Sequence, residues 1–160
     1  MNIIAIIGAK YLFILSPIIA LVYWWRSDKA VRKSLAIFGI LTLPLAYIVA
    51  KIASHFYYDP RPFIVTGIAP LIQHAADNGF PSDHTLLVAA IAAVMTYFNR
   101  KWAIWLWIIT ILVAWARMYV GVHHTVDVTG SIIISILSAG VVYLLGKNKL
   151  TNPNHESREQ

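Results

Sequence analysis

The sequence predicts an all-α protein, a polytopic membrane helix bundle of about five transmembrane helices with the N-terminus outside and the C-terminus cytoplasmic. Three observations carry this. The 160 residues are 59% hydrophobic and only 12% charged, with mean hydropathy +0.67. The apolar residues gather in stretches of roughly 18 to 22, enough to cross ~30 Å of hydrocarbon. Nine of the thirteen lysines and arginines fall in connections that would share one side, and the positive-inside rule assigns that side to the cytoplasm.

The first span is placed at Ile3 to Trp25. It reads as retained rather than cleaved, because no basic segment precedes it, Lys10 interrupts it and no small-residue cleavage site stands before Trp24. The basic run Arg26 to Lys33 leads into the second span, Ser34 to Tyr57. The third, His84 to Phe98, contains only about 14 consecutive apolar residues, short for a full crossing, so its N-terminus is placed at or just below the outer headgroups. Arg100 and Lys101 precede the fourth span, Trp102 to Tyr119, and the fifth runs from Val126 to Leu145. Ala89, Ala90, Ala92 and Ala93 in the third span, with Gly130, Ser131, Ser135, Ser138 and Ala139 in the fifth, are read as close helix packing. Residues 1–147 thus form a single transmembrane domain, and 148–160 a polar cytoplasmic tail expected to be disordered.

Composition also excludes. Without cysteine there is no disulfide and no thiolate metal site. The net charge of +6 is spread between apolar segments and forms no basic tract, so nucleic acid is not an expected partner.

The remaining connections, Tyr58 to Asp83 and Val120 to Thr125, fall together on the opposite face and hold most of the polar chemistry. The first is long, rich in proline and suited to lie at the interface or cap a site; Asn78 within it reads as an accessible labelling position. In Asp59-Pro60-Arg61-Pro62, two prolines hold an extended backbone around Arg61. A guanidinium held this way suits bidentate contact with phosphate oxygens, while an interfacial arginine paired with Asp59 fits the fragment equally well.

Gly79-Phe80-Pro81-Ser82-Asp83-His84 leads into the third span, with Pro81 near a first-turn position and Ser82 or Asp83 suited to cap. The helix amides there favour an anion, Ser82 adds a hydroxyl and His84 a proton carrier. As plain structure, the same residues cap the helix and leave His84 at the interface.

Arg117 ends the fourth span, and His123 and Asp127 stand four residues apart where the fifth begins, a spacing that lets them meet on one helical face. Asp127 would fix the tautomer of His123 and leave the other ring nitrogen as a lone pair able to attack an electrophile; His124 would point elsewhere. Four ionisable groups so close together at a membrane face favour function over a structural ion pair. Two arginines mark a phosphate. With no His-x-x-x-His pair and no carboxylate cluster, no metal is expected.

These ordered motifs resemble the type 2 phosphatidic acid phosphatase family, membrane lipid phosphatases related to vanadium haloperoxidases. Arg61-Pro62 resembles the end of the first motif, Pro81-Ser82-Asp83-His84 the second, and Arg117 through His123 to Asp127 the third, with Tyr119 and Gly121 in family-like places. The Pro-Ser-Asp-His variant and the short length look most like bacterial undecaprenyl pyrophosphate phosphatases of the bacitracin-resistance type, which serve cell-wall biogenesis. The resemblance implies a multi-pass enzyme of the bacterial plasma membrane with an extracytoplasmic site, needing no cofactor. In it His123 would attack phosphorus to give a phosphohistidine, Asp127 would orient it, and His84 would protonate the leaving oxygen. Arg61, Arg117 and Ser82 would hold the phosphoryl oxygens.

Four departures follow from the same comparison. Ser54 stands where the family usually has a lysine; Lys51, about 4.5 Å deeper at 1.5 Å per residue, is the candidate replacement, although a helical side chain leans toward the N-terminus and so away from the site. Asp83 replaces a glycine and sets a carboxylate beside an anion unless a cation offsets it. Ala116 replaces a serine, and five spans stand where six are usual. The expected partners are a lipid phosphate or pyrophosphate substrate and the surrounding membrane lipids. Phosphatidylglycerophosphate, phosphatidate or lipid A phosphate would engage the same residues. A non-catalytic lipid-binding or transport protein is the reading from a different class, against which the absence of inverted repeats argues.

Overall fold

The computed structural model describes residues 2–150. Every regular element among them is helical. α1 (Asn2–Tyr11) passes through a 3₁₀ turn (Leu12–Ile14) into α2 (Leu15–Arg26); α3 (Lys29–Phe56), the short α4 (Pro62–Thr66), α5 (Asp83–Thr96), α6 (Arg100–Tyr119) and α7 (Thr125–Leu150) follow. Four stretches, Asn2–Arg26, Lys29–Phe56, Arg100–Tyr119 and Thr125–Gly146, are long and apolar enough to cross a membrane, and α5 is a shorter apolar helix. The five-segment helical reading therefore holds. Of the tail expected at 148–160, the backbone of 148–150 instead continues α7, and 151–160 lie outside the described residues.

The first span is broken where the sequence gives a reason. Pro17 has no amide hydrogen and its ring crowds the carbonyl four residues earlier, at Phe13. The chain tightens to 3₁₀ over Leu12–Ile14 and resumes as α2. This break sets Phe13 edge-on against His84, with ring centroids 4.6 Å apart.

α5 is the hub. Val88, Ala89, Ala92 and the residues around them are buried, because α6, α7, α3 and α2 all pack on this one helix. A helix that is apolar all round is one surrounded by others, and its alanines let those neighbours approach. The outer faces are apolar in their turn: Ile40 is 71% exposed, Trp105 64% and Leu144 68%, as expected of surfaces solvated by lipid.

The small residues of α7 do more than pack. Ser131 Oγ lies 2.9 Å from the Ser82 carbonyl and Ser135 Oγ 3.1 Å from that of Leu86, so two hydroxyls of α7 reach backbone oxygens of the cap and first turn of α5. Gly130 lets the Phe80 ring lie flush on α7, since a Cβ there would stand 2.3 Å from the ring. Gly130→Ala is expected to displace Phe80 and destabilise the protein by about 1–3 kcal/mol, the usual range for overpacking. Gly140→Ala meets only Tyr97 Oη at 3.9 Å and should be tolerated. Thermal unfolding of the two variants in detergent checks this pair.

Candidate active site

Successive spans alternate in direction, so the end of α3, the start of α5, the end of α6 and the start of α7 meet at one end of the bundle. The two polar connections close over that end. They are tied to each other by backbone bonds, Leu71 N–H to Val120 O at 2.9 Å and Ser82 N–H to Asp127 O at 3.3 Å.

His123 is central. It lies in the connection before α7 rather than on the helix, which begins at Thr125. The His123–Asp127 pair still forms, by a different geometry from the shared helical face expected. Asp127, in the first turn of α7, folds its carboxylate back so that Oδ2 accepts from the His124 amide at 2.9 Å and from His123 Nδ1 at 3.2 Å. An acidic side chain in a first turn is also favoured by the helix dipole. Asp127 is fully buried, and its Oδ1 finds no hydrogen-bond partner among the described residues.

The opposite ring nitrogen, Nε2, faces two guanidiniums. Arg61 Nη1 and Arg117 Nη2 each lie 3.4 Å from it. A carboxylate only accepts and a guanidinium only donates. Both sides of the ring therefore select the same tautomer, with the proton on Nδ1 and the lone pair on Nε2. Burial pushes the His123 imidazole below its ordinary 6.5; the bond to Asp127 opposes this, while the charges of Arg117 and Arg61 reinforce it.

Each arginine is held by backbone oxygens. Arg61, buried at the start of α4, donates through Nη1 to Val122 O at 2.8 Å, through Nη2 to Asn78 O at 3.3 Å, and through Nε to Asp77 Oδ1 at 2.7 Å. Its ion-pair partner is thus Asp77, not the neighbouring Asp59 that the bare fragment suggested. Desolvation tends to raise the Asp77 carboxyl, but its bond to Arg61 and that charge hold it below the usual carboxylate range. Arg117, 3% exposed in α6, makes no ion pair among the described residues and donates from Nη1 to Ala9 O at 3.4 Å. Ala9 belongs to the last turn of α1, whose carbonyls lack partners within the helix.

Ser82 is the N-cap residue of α5, yet its side chain makes no capping bond. Pro81 therefore precedes the helix instead of sitting in its first turn. The Ser82 oxygen accepts from Thr85 Oγ1 at 3.1 Å, which leaves its own proton to donate. His84, one residue into α5, is half-buried and within electrostatic reach of Arg117. Asp83 is exposed in the same first turn.

Lys51 is not brought to this group. Its Nζ sits 5.1 Å over the Tyr47 ring, one turn toward the N-terminus of α3. Ser54, the position of the family lysine, instead receives the Asn78 amide, with Nδ2 at 3.0 Å from its hydroxyl and 3.1 Å from its carbonyl. Asn78 is a residue whose importance sequence reasoning missed. Its Nδ2 also reaches Tyr57 O, and its Oδ1 accepts from the amides of Asp59 and Phe80, so one side chain pins the long connection to the end of α3. The Asn-Gly pair was the available signal. Gly79 beside it is pressed so close that a Cβ would stand 2.9 Å from Asp127 Oδ2.

Two further groupings were invisible along the chain. His124 turns away from His123, as anticipated, and pairs with Asp59, Nδ1 to Oδ2 at 2.8 Å. Asp59, His124 and Asp127 place ligand atoms within 4.8 Å of one another, a set able to hold a cation. The expectation of no metal rested on spacing in sequence, which does not register this cluster. His74 comes from the long connection to set its ring 6.1 Å from that of His123.

The PAP2 superfamily model matches residues 33–150. Among curated proteins, the chain is 36% identical over 131 residues to undecaprenyl-diphosphatase BcrC of Bacillus subtilis, covering 80% of this chain and 66% of that protein. It is 31% identical over 127 residues to the bacitracin transport permease protein BcrC of Bacillus licheniformis, covering 78% and 62%. The chain thus spans about two thirds of these relatives or slightly less. Among solved structures, the fold resembles the crystal structure of Aquifex aeolicus LpxE with TM-score 0.68 and 24% identity, over 88% of this chain and 81% of that one.

Asn78→Ala is expected to cost about 1–3 kcal/mol, since it leaves several part-buried groups without partners. Asn78→Asp, which keeps the accepting oxygen, should cost less. Chemical unfolding in detergent compares the two.

Proposed function

Since the chain belongs to the PAP2 superfamily, we propose that it is a membrane phosphatase that hydrolyses a lipid-linked phosphate. The substrate that fits best is undecaprenyl diphosphate, cleaved to undecaprenyl phosphate at the outer face of a bacterial plasma membrane. One observation carries the chemistry: a buried imidazole whose lone pair faces two guanidiniums while a buried carboxylate holds its other nitrogen. A phosphoryl group entering there finds a nucleophile and its charge stabilisers already aimed at one point.

In this reading His123 Nε2 attacks phosphorus, and the bond to the leaving oxygen breaks as the N–P bond forms. The leaving oxygen keeps the electron pair and takes a proton from His84. Arg61 and Arg117 exchange their contacts with Nε2 for the phosphoryl oxygens, where charge accumulates in the transition state. Ser82 and the first amides of α5 add neutral donors. Asp127 balances the positive charge that develops on the ring. Water, deprotonated by His84, then attacks the phosphohistidine and releases phosphate.

The substrate assignment is supported by the name of the Bacillus subtilis relative and by the Pro-Ser-Asp-His motif. The named groups all read phosphate, so phosphatidylglycerophosphate, phosphatidate and lipid A phosphates complete the test panel. The transport name of the second relative keeps a non-catalytic reading as the contrast. Phosphate release by the purified protein should be greatest from a prenyl diphosphate, insensitive to chelator, and abolished in His123→Ala with the fold retained. Full release by His123→Ala would refute the nucleophile, and loss with chelator restored by one divalent ion would refute the metal-free reaction.

Two more outcomes follow. Because burial holds His123 below 6.5, its lone pair persists through neutral pH and is lost only as pH falls through that lowered value. The acid limb of kcat/KM should therefore have its midpoint below 6.5. The outer-face assignment is read by thiol labelling at Ala76→Cys, an exposed position in a chain without other cysteines; Asn78 is unsuitable because its side chain holds the loop. Labelling of intact cells supports the orientation, and labelling only after permeabilisation inverts it.

A further inference from the structure

The reaction as drawn uses two imidazoles, yet a third stands at the site. His74 is half-buried in the connection between α4 and α5, with its ring edge-on to that of His123 at 6.1 Å. It is near enough to Arg61 and Arg117 to feel both charges. Neither the attack on phosphorus nor protonation of the leaving oxygen requires it. A residue serving only the backbone of its own loop would have no reason to face the nucleophile. Among the described residues its ring makes one hydrogen bond, a long one from Nδ1 to Ala75 O at 3.4 Å, which leaves Nε2 uncommitted there.

A groove of about 640 Å³ is lined by Phe63, Ala69, Pro70, Gln73, His74 and Ala75. The polar side chains of that lining, His74 and Gln73, are nearly adjacent in sequence, and the rest offer hydrocarbon to the first carbons of a lipid chain. From His123 to His74, 6.1 Å ring to ring, and on to the groove that His74 lines with Phe63, Ala69 and Pro70, the protein offers a nucleophile, then a donor, then hydrocarbon. That is the order of groups along a lipid diphosphate: terminal phosphate, second phosphate, chain.

We propose that His74, with Gln73 beside it, binds the second phosphate of a lipid diphosphate and so makes the site selective for diphosphates over monophosphates. The proposal rests on the lipid-phosphatase reading above and adds the residue that sets the headgroup. When the bond between the phosphates breaks, the electron pair passes to the bridging oxygen and the second phosphate leaves with the lipid. A donor on its non-bridging oxygens binds the substrate and steadies the leaving group. Burial and the arginine charges keep the free imidazole below its ordinary value; a bound diphosphate would counter those charges and favour the protonated, doubly donating ring.

The test measures equilibrium binding of inorganic pyrophosphate and of inorganic phosphate to the purified protein and to His74→Asn, alongside turnover of farnesyl diphosphate and farnesyl phosphate. The variant should bind pyrophosphate about 10- to 100-fold more weakly, the scale of a charge-assisted hydrogen bond, and lose kcat/KM on farnesyl diphosphate by a similar factor. Phosphate binding and farnesyl phosphate turnover should change less than about 3-fold, which also shows that the pocket has survived. Equal losses on both members of each pair would overturn the proposal and make His74 a support for His123. Unchanged pyrophosphate binding would overturn it as well. Should the unsubstituted protein turn over neither lipid, the phosphatase reading fails while the two binding constants still decide the role of His74.

Discussion

Two guanidiniums point at one nitrogen. Holding Arg61 and Arg117 so that both reach His123 Nε2 brings like charges together in a buried place, which is unfavourable unless other groups compensate. Much of the local architecture supplies that compensation. Val122, Asn78 and Ala9 lend carbonyl oxygens, and Asp77 pairs with Arg61 from the exposed side. None cancels the charge outright: Asp77 is 60% exposed, and an exposed partner is a weak one. The two guanidiniums are left facing a lone pair, where an incoming anion would give both a charged acceptor.

The bundle provides the rigidity this arrangement needs. α5, enclosed by its neighbours, fixes Ser82, Asp83 and His84 at its start, and α7 is bonded to that cap and first turn through Ser131 and Ser135. α1 contributes indirectly. Its break upstream of Pro17 presents Phe13 to His84, and its last turn gives Arg117 an acceptor. Asn78 does the same service for the long connection, and without it Arg61 would depend on a loop with little regular structure of its own. The placement of these side chains comes from helix ends and one asparagine.

Much of this was legible in sequence, for identifiable reasons. Hydropathy reports spans directly, and the short third segment correctly announced a helix that falls short of a full crossing. The three motifs pointed to the superfamily that the comparison matches, because phosphate chemistry restricts which residues can stand together. What sequence could not supply was pairing between distant segments. Arg61 finds Asp77 instead of adjacent Asp59, Asp59 finds His124, and His74 reaches His123 across the fold. The bond of Asp127 to His123 was anticipated from a spacing of four, yet it forms through a turn outside the helix, since an aspartate in a first turn can fold back on the amides and side chains preceding it. Lys51 shows the reverse: it was a candidate for the phosphate, but the lean of helical side chains toward the N-terminus, which argued against it, carries its amine over Tyr47.

The central claim is that His123 Nε2 takes the phosphoryl group. It is tested most directly by mixing the protein with a prenyl diphosphate, quenching in alkali within one turnover, and locating phosphate on peptides by mass spectrometry. The account predicts an acid-labile phosphate on His123. Phosphate on another side chain, or release of lipid monophosphate with no phosphorylated peptide at any time, would contradict it.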